Sequence, residues 1–188
     1  MDHNLTMHFH VTNLSRAIYL EIRKLTQISK FVDESNLKTL ATSYILSRLD
    51  YCNGLFKNMN NYQFDKLQKL QNFAAKVVLK KSMYDHVTPC LIDLHWLPVK
   101  YRVDFKIALL TFKCLNGLAP KYLSDLIEIY TPPRNLRSNS LNLLKPKVTK
   151  FKTLDDNFFM LPKYGIACWP LLGMRPQLMF LRKKLKKH

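Results

Sequence analysis

From Val11 to Tyr130, apolar residues return at steps of three and four, the period of amphipathic helices that bury one face against each other. Val11, Leu14, Ile18, Ile22, Leu25 and Ile28 make the first stripe, with Arg16, Glu21, Arg23 and Lys24 on the opposite face. Asp33 or Ser35 is placed to cap a second helix. Its stripe is Leu37, Leu40, Ala41, Tyr44, Ile45 and Leu49, and its end is expected at Asn53-Gly54. After a polar break at 57–61, Asn61 offers a cap to a third helix buried along Phe64, Leu67, Leu70, Ala74, Val77 and Val78. That helix turns Lys66, Lys69, Lys76 and Lys80 outward.

Proline and glycine punctuate the rest. Asp85 or Thr88 is expected to cap a short helix with Pro89 in its first turn, where the missing N–H costs nothing, and the helix is expected to stop at Trp96-Leu97. Pro98 opens a longer helix through Val103, Ile107, Leu110, Thr111 and Cys114, and Gly117 supplies the left-handed residue that ends it. A further helix starts at Pro120 and uses Leu123, Leu126, Ile127 and Tyr130. Thr131-Pro132-Pro133 forbids continuation. The expected organisation is a mainly α helical bundle over 1–131, followed by a basic, less regular region over 132–188 with short extended pieces at 138–144 and 148–154. In that second region 158–169 is expected to pack back on the helices, and 178–187 reads as a basic terminal helix.

With 47% hydrophobic residues the chain can bury one core. No apolar run approaches the roughly 18 residues that span a bilayer, and MDHNLTMHFH lacks the regions of a signal peptide. A soluble, intracellular protein with no membrane partner is expected. Cys52, Cys90, Cys114 and Cys168 form no CxxC pair and are expected to remain thiols. His86 and Cys90 lie four apart, but Pro89 intervenes and no second pair exists, so neither a metal nor another cofactor is expected.

Thirty Lys and Arg against 13 Asp and Glu give a net charge of +17, which implies a polyanionic partner. The excess is concentrated at the end: residues 134–188 hold 13 basic and 2 acidic side chains, net +11, against 17 and 11, net +6, before them. Arg134 and Arg137 are forked donors suited to phosphate. Lys145, Lys147, Lys150 and Lys152 alternate with Leu144, Val148 and Phe151, giving an extended segment one basic and one apolar face. Arg182, Lys183, Lys184, Lys186 and Lys187 are suited to a nucleic-acid tail or a nuclear localisation signal. Gly54, Gly117, Gly165 and Gly173 stand alone and build no phosphate loop, and no Ser or Cys sits in a strand-turn-helix elbow that would expose a nucleophile. Trp96 is read as a core residue that locks the angle between two helices, and Phe64, Tyr101, Phe105 and Phe112 likewise as core.

The blocks SRLDYCNGLF at 47–56, FDKLQKLQNFAAKVVL at 64–79, DHVTPCLIDLHWLPVKYRVDFKI at 85–107, CLNGLAPKYLSDL at 114–126 and LRS at 136–138 follow one another in fixed order. They resemble the C-terminal part of a LINE-type, jockey-like non-LTR retrotransposon reverse transcriptase. At 140–188 the chain departs from that pattern, with Trp169-Pro170 standing where a "WN.LP" block is expected.

The resemblance implies a thumb-like helical bundle that lies against a template and primer duplex, downstream of the catalytic palm. Polymerisation needs paired carboxylates around two metal ions, held in this family on an aromatic-x-Asp-Asp hairpin. Asp155-Asp156 follows Thr153-Leu154, without the aromatic. The expectation is therefore a non-catalytic fragment that binds RNA, DNA or an RNA–DNA hybrid through backbone contacts, using Lys66, Lys69 and Lys76 together with Arg134, Arg137, Lys145, Lys147, Lys150 and Lys152. A retroelement polymerase is a further candidate partner. A helical protein-interaction module and a decayed remnant without selected function are the competing readings.

Overall fold

The computed structural model describes residues 7–57, 59–128, 134 and 144, and among these it is mainly helical. Helix α1 (His8–Ile28) buries Val11, Ser15, Ile18, Ile22 and Leu25. Ser15 turns its hydroxyl back to the Val11 carbonyl at 2.6 Å, so the polar member of the stripe is satisfied within its own helix. Helix α2 (Glu34–Ala41) begins where Asp33, in extended conformation, accepts the Asn36 backbone N–H at 3.3 Å. The Asn36 side-chain amide adds a second bond at 2.6 Å and is the main reason the Asp33 carboxyl sits below its ordinary pKa.

The second helix departs from the expected stripe. After Ala41 the chain makes one π turn (Thr42–Leu46) before resuming as α3 (Ser47–Asp50). A wider turn holds one residue more than an α turn, so the buried positions become Leu37, Ala41, Ile45, Leu46 and Leu49, and Tyr44 is exposed. The helix also stops earlier than Asn53-Gly54. Tyr51 is extended and Cys52 is left-handed, with φ 50°, and Asn53 instead opens a 3₁₀ turn (Asn53–Phe56) that buries Asn53 and Phe56.

Helix α4 (Asn61–Val78) is capped by Asn60 rather than Asn61, through a 3.3 Å bond from the Tyr62 N–H. It buries Phe64, Leu67, Ala74 and Val78 as expected, with Gln63, Gln71 and Ala75 in addition, while Leu70 and Val77 are half-buried. It packs on α1, on α2 and on α5 (Val87–Asp93). Pro89 occupies the first turn of α5 as expected, but neither expected cap acts there. Asp85 accepts the Ser82 N–H at 2.8 Å and closes the preceding turn, Thr88 lies inside the helix, and His86 takes the cap position without a side-chain bond.

Three helix ends share one closure, in which a left-handed residue is followed by an N–H that reaches back five residues. After α4, Lys80 (φ 51°) precedes Lys81, whose N–H reaches the Lys76 carbonyl at 2.9 Å. After α5, His95 (φ 56°) precedes Trp96, whose N–H reaches Leu91 at 2.8 Å, so the helix ends before Trp96-Leu97. After α6 (Val99–Leu115), Gly117 (φ 68°) precedes Leu118, bonded to Lys113 at 2.8 Å. Only the last uses glycine, as the sequence predicts. The other two hold a Cβ where it costs roughly 1–2 kcal/mol.

The joint between α5 and α6 is clamped from α4. Gln71, fully buried, donates from Nε2 to the Leu97 carbonyl at 2.8 Å. Gln68 accepts the Val99 N–H at 2.8 Å and donates to Gln71 Oε1 at 3.1 Å. The two amides thus hold the backbone on both sides of Pro98, which has no N–H of its own. A second tie links the turn after α3 to α6: Arg102 donates to Asp50 from Nε at 2.8 Å and also from Nη2, and Lys57 pairs with Asp104. Asn53 donates to Asp50 at 3.4 Å, and its Oδ1 is buried with no hydrogen-bond partner among the described residues.

The chain divides into two compact units, Met1–Lys106 and Ile107–His188, with the break inside α6. In the second unit, α7 (Lys121–Ser124) buries none of its residues. Leu110 and Leu126, both expected in apolar stripes, are exposed, and Ile107, Leu123 and Ile127 are half-buried. The Pro132-Pro133 boundary, all of the extended piece at 138–144 except Leu144, the piece at 148–154, the 158–169 segment and the terminal basic helix lie outside the described residues.

Candidate nucleic-acid interface

Lysines on a helix become an interface only if they share a face and are not already paired. At 100° per residue, Lys66, Lys69, Phe73 and Lys76 of α4 fall within an arc of about 80°. Lys69 is exposed, and Lys66 and Lys76 are half-buried. Lys66 and Lys69 form no ion pair among the described residues. Lys76 donates to the Met83 carbonyl at 2.5 Å, which leaves its ammonium two further donors. Lys80 lies beyond the helix end and reaches the Val32 carbonyl at 3.0 Å, so it pins the loop between α1 and α2.

Other cations are spent inside the fold. Lys57 and Arg102 are held by Asp104 and Asp50, and Lys24 and Arg48 both approach Glu21, at 3.4 and 3.6 Å. Arg23 and Lys30 form no such pair among the described residues. They line an open cleft of about 590 Å³ with Thr26, Gln27, Phe31 and Phe73. Lys69 and Lys76 flank Phe73 by one turn on either side, so the α4 lysines and the cleft belong to one cationic surface of the first unit.

Sequence reasoning selects Lys66, Lys69 and Lys76 but passes over Lys30, Phe31 and Phe73, and it reads Arg23 only as part of an outer face. A signal is present: Arg16 and Arg23 are seven residues apart, which keeps them on one side of α1, and Lys30 follows at the same interval just past the helix end. Of the C-terminal candidates, Arg134 is exposed, and Leu144, expected on the apolar side of its segment, is buried. Arg137, Lys145, Lys147, Lys150 and Lys152 lie outside the described residues.

Among the described residues no three His, Cys, Asp or Glu side chains gather as metal ligands, and no helix is long and apolar enough to cross a membrane. Cys90 donates its thiol to the His86 carbonyl at 3.6 Å, a local contact within the first turns of α5. Cys114 is pushed up in pKa by partial desolvation, which disfavours its thiolate. No protein-family model, curated protein or solved structure matches this chain.

Proposed function

We propose that this chain is the thumb-like, post-palm segment of a LINE-type reverse transcriptase and that it grips nucleic acid by its sugar-phosphate backbone without catalysing a reaction. The observation that carries the binding reading is the cationic surface around Lys66, Lys69 and Lys76, which no carboxylate pairs among the described residues, in a chain of net charge +17. Backbone contact needs point charges and forks rather than base-reading geometry, so affinity without sequence preference is expected. Arg134, Arg137, Lys145, Lys147, Lys150 and Lys152 extend the same role into the basic region.

The interlocks support the family reading from another side. Asp50 of the SRLDYCN block holds Arg102 from the LPVKYR block, and the two glutamines of LQKLQN hold the backbone around Pro98. These three blocks are therefore partners within the first unit, which gives a physical reason for their occurring together.

The test is fluorescence anisotropy with a labelled RNA–DNA hybrid across a salt series, on protein shown to be folded by circular dichroism. Log affinity should fall linearly with log salt, with a slope of about −0.9 per phosphate neutralised on B-form duplex and of similar size here. A folded protein with a flat salt response, or with no binding, refutes the proposal. Absence of binding would favour the protein-interaction reading, for which Met83, Tyr84 and Ile92 are exposed apolar side chains.

A further inference from the structure

We propose that the cleft between α1 and α4 takes one unpaired nucleotide of a single strand, its base against Phe31 and Phe73 and its phosphates toward Arg23 and Lys30. The inference rests on the nucleic-acid reading above and adds to it a distinct subsite and a class of strand. Its volume, about 590 Å³, lies within the roughly 300–1,000 Å³ of sites that hold small organic ligands.

Phe31 is 87% exposed, although a phenylalanine ring gains nothing from water. Its backbone is nevertheless fixed from several directions. The Phe31 N–H donates to the Ile28 carbonyl at 2.9 Å, Lys80 Nζ donates to the next residue's carbonyl at 3.0 Å, and Asp33 is committed to capping α2. A ring held out on a tied loop is a preorganised platform, and ordering it on binding costs little.

The occupant follows from the chemistry of the lining. Two phenyl rings offer π-faces that any base can stack on, Gln27 and Thr26 offer polar contacts to a base or sugar edge, and Arg23 and Lys30 supply positive charge. An apolar peptide would leave both cations uncompensated, and an acidic one would leave the rings without a partner. A blunt duplex keeps its bases stacked inside, so only an unpaired position presents both a free base and flanking phosphates.

The experiment measures anisotropy of a labelled oligo(dT) of about ten nucleotides, within the site size of single-strand binders, and of a blunt RNA–DNA hybrid. Phe31→Leu, at a residue too exposed to support the core, should weaken oligo(dT) binding by about five- to 100-fold, the cost of one lost base stack, and leave the hybrid unchanged. Arg23→Gln with Lys30→Gln should make the oligo(dT) salt dependence shallower by about one to two phosphates. If Phe31→Leu leaves oligo(dT) affinity unchanged, or lowers both ligands equally, the cleft proposal is overturned while backbone gripping stands. If the wild-type chain binds neither ligand, both proposals fall together.

Discussion

Gln71 has no exposed surface, yet it carries an amide into the core, where that amide holds the Leu97 carbonyl beside Pro98. Gln71→Ala leaves that carbonyl without its partner, which costs about 1–3 kcal/mol. It also opens a cavity where packed side-chain atoms stood, at roughly 0.8 kcal/mol per lost methylene before any relaxation. After relaxation, the two effects together give a destabilisation of about 2–4 kcal/mol. Gln71→Leu restores most of the bulk and should recover roughly 1–2 kcal/mol of that loss.

Because Gln68 hydrogen-bonds Gln71 while it accepts the Val99 N–H, the two are not independent. The Gln68→Ala/Gln71→Ala double mutant should show a coupling of about 0.5 kcal/mol or more. Urea unfolding followed by far-UV circular dichroism measures the double mutant, both single mutants and Gln71→Leu. A Gln71→Ala variant within about 0.5 kcal/mol of wild type, the range of ordinary surface changes, would refute the clamp, as would strict additivity in the double mutant.

Arg102→Lys keeps the charge but removes the two-pronged contact with Asp50, and should destabilise the first unit by about 1 kcal/mol; equal midpoints in urea would deny the fork a role. His95→Gly should be neutral or stabilising by up to about 1 kcal/mol, whereas His95→Val should cost more than about 1 kcal/mol, because φ 56° suits glycine and not a β-branched residue; a reversed order of melting temperatures would contradict the closure of α5. The Asp33 carboxyl is depressed below its ordinary pKa, so its contribution to the start of α2 is complete above the unfolded value of about 4 and is lost as pH falls through the folded value. The Asn36 amide proton, followed by NMR, should titrate below that ordinary value, and a midpoint at or above it would remove the cap bond as the cause.

Much of the helical layout is legible in the sequence because it is written in side-chain period. Val11, Ile18, Ile22 and Leu25 of α1, Phe64, Leu67, Ala74 and Val78 of α4, the Asp33 cap, the first-turn Pro89 and the closing Gly117 all lie where local rules put them, whereas Ile28 at the end of the first stripe is exposed and Leu14 is half-buried. The features that escape depend on groups far apart in the chain. Nothing local marks Lys80 and His95 as left-handed, since both positions are set by closing hydrogen bonds and by the course of the chain beyond them, Trp96 being buried while His95 stays in water. Gln71 reads as polar and is wholly buried because its partner lies 26 residues away.

The candidate surface divides in the same manner. The α4 lysines are visible as a helical face, but Phe73 becomes a neighbour of Arg23 and Phe31 only once α1 and α4 pack. Lys57 and Arg102 look like available cations until their carboxylates are found. Tyr44 falls in the core stripe only if the α period runs unbroken, and the π turn breaks it.

That π turn gives the second helix one residue of slack. A one-residue deletion in 34–41 would turn the helical residues between the cut and Thr42 by about 100° off their core face, even where the widened turn relaxes and restores the phase of Asp50. A deletion within 42–46 would let the widened turn relax to an ordinary one and leave Asp50 in phase. Chain length and angular phase are uncoupled in this stretch, so a related chain one residue shorter there can close the same tie to α6.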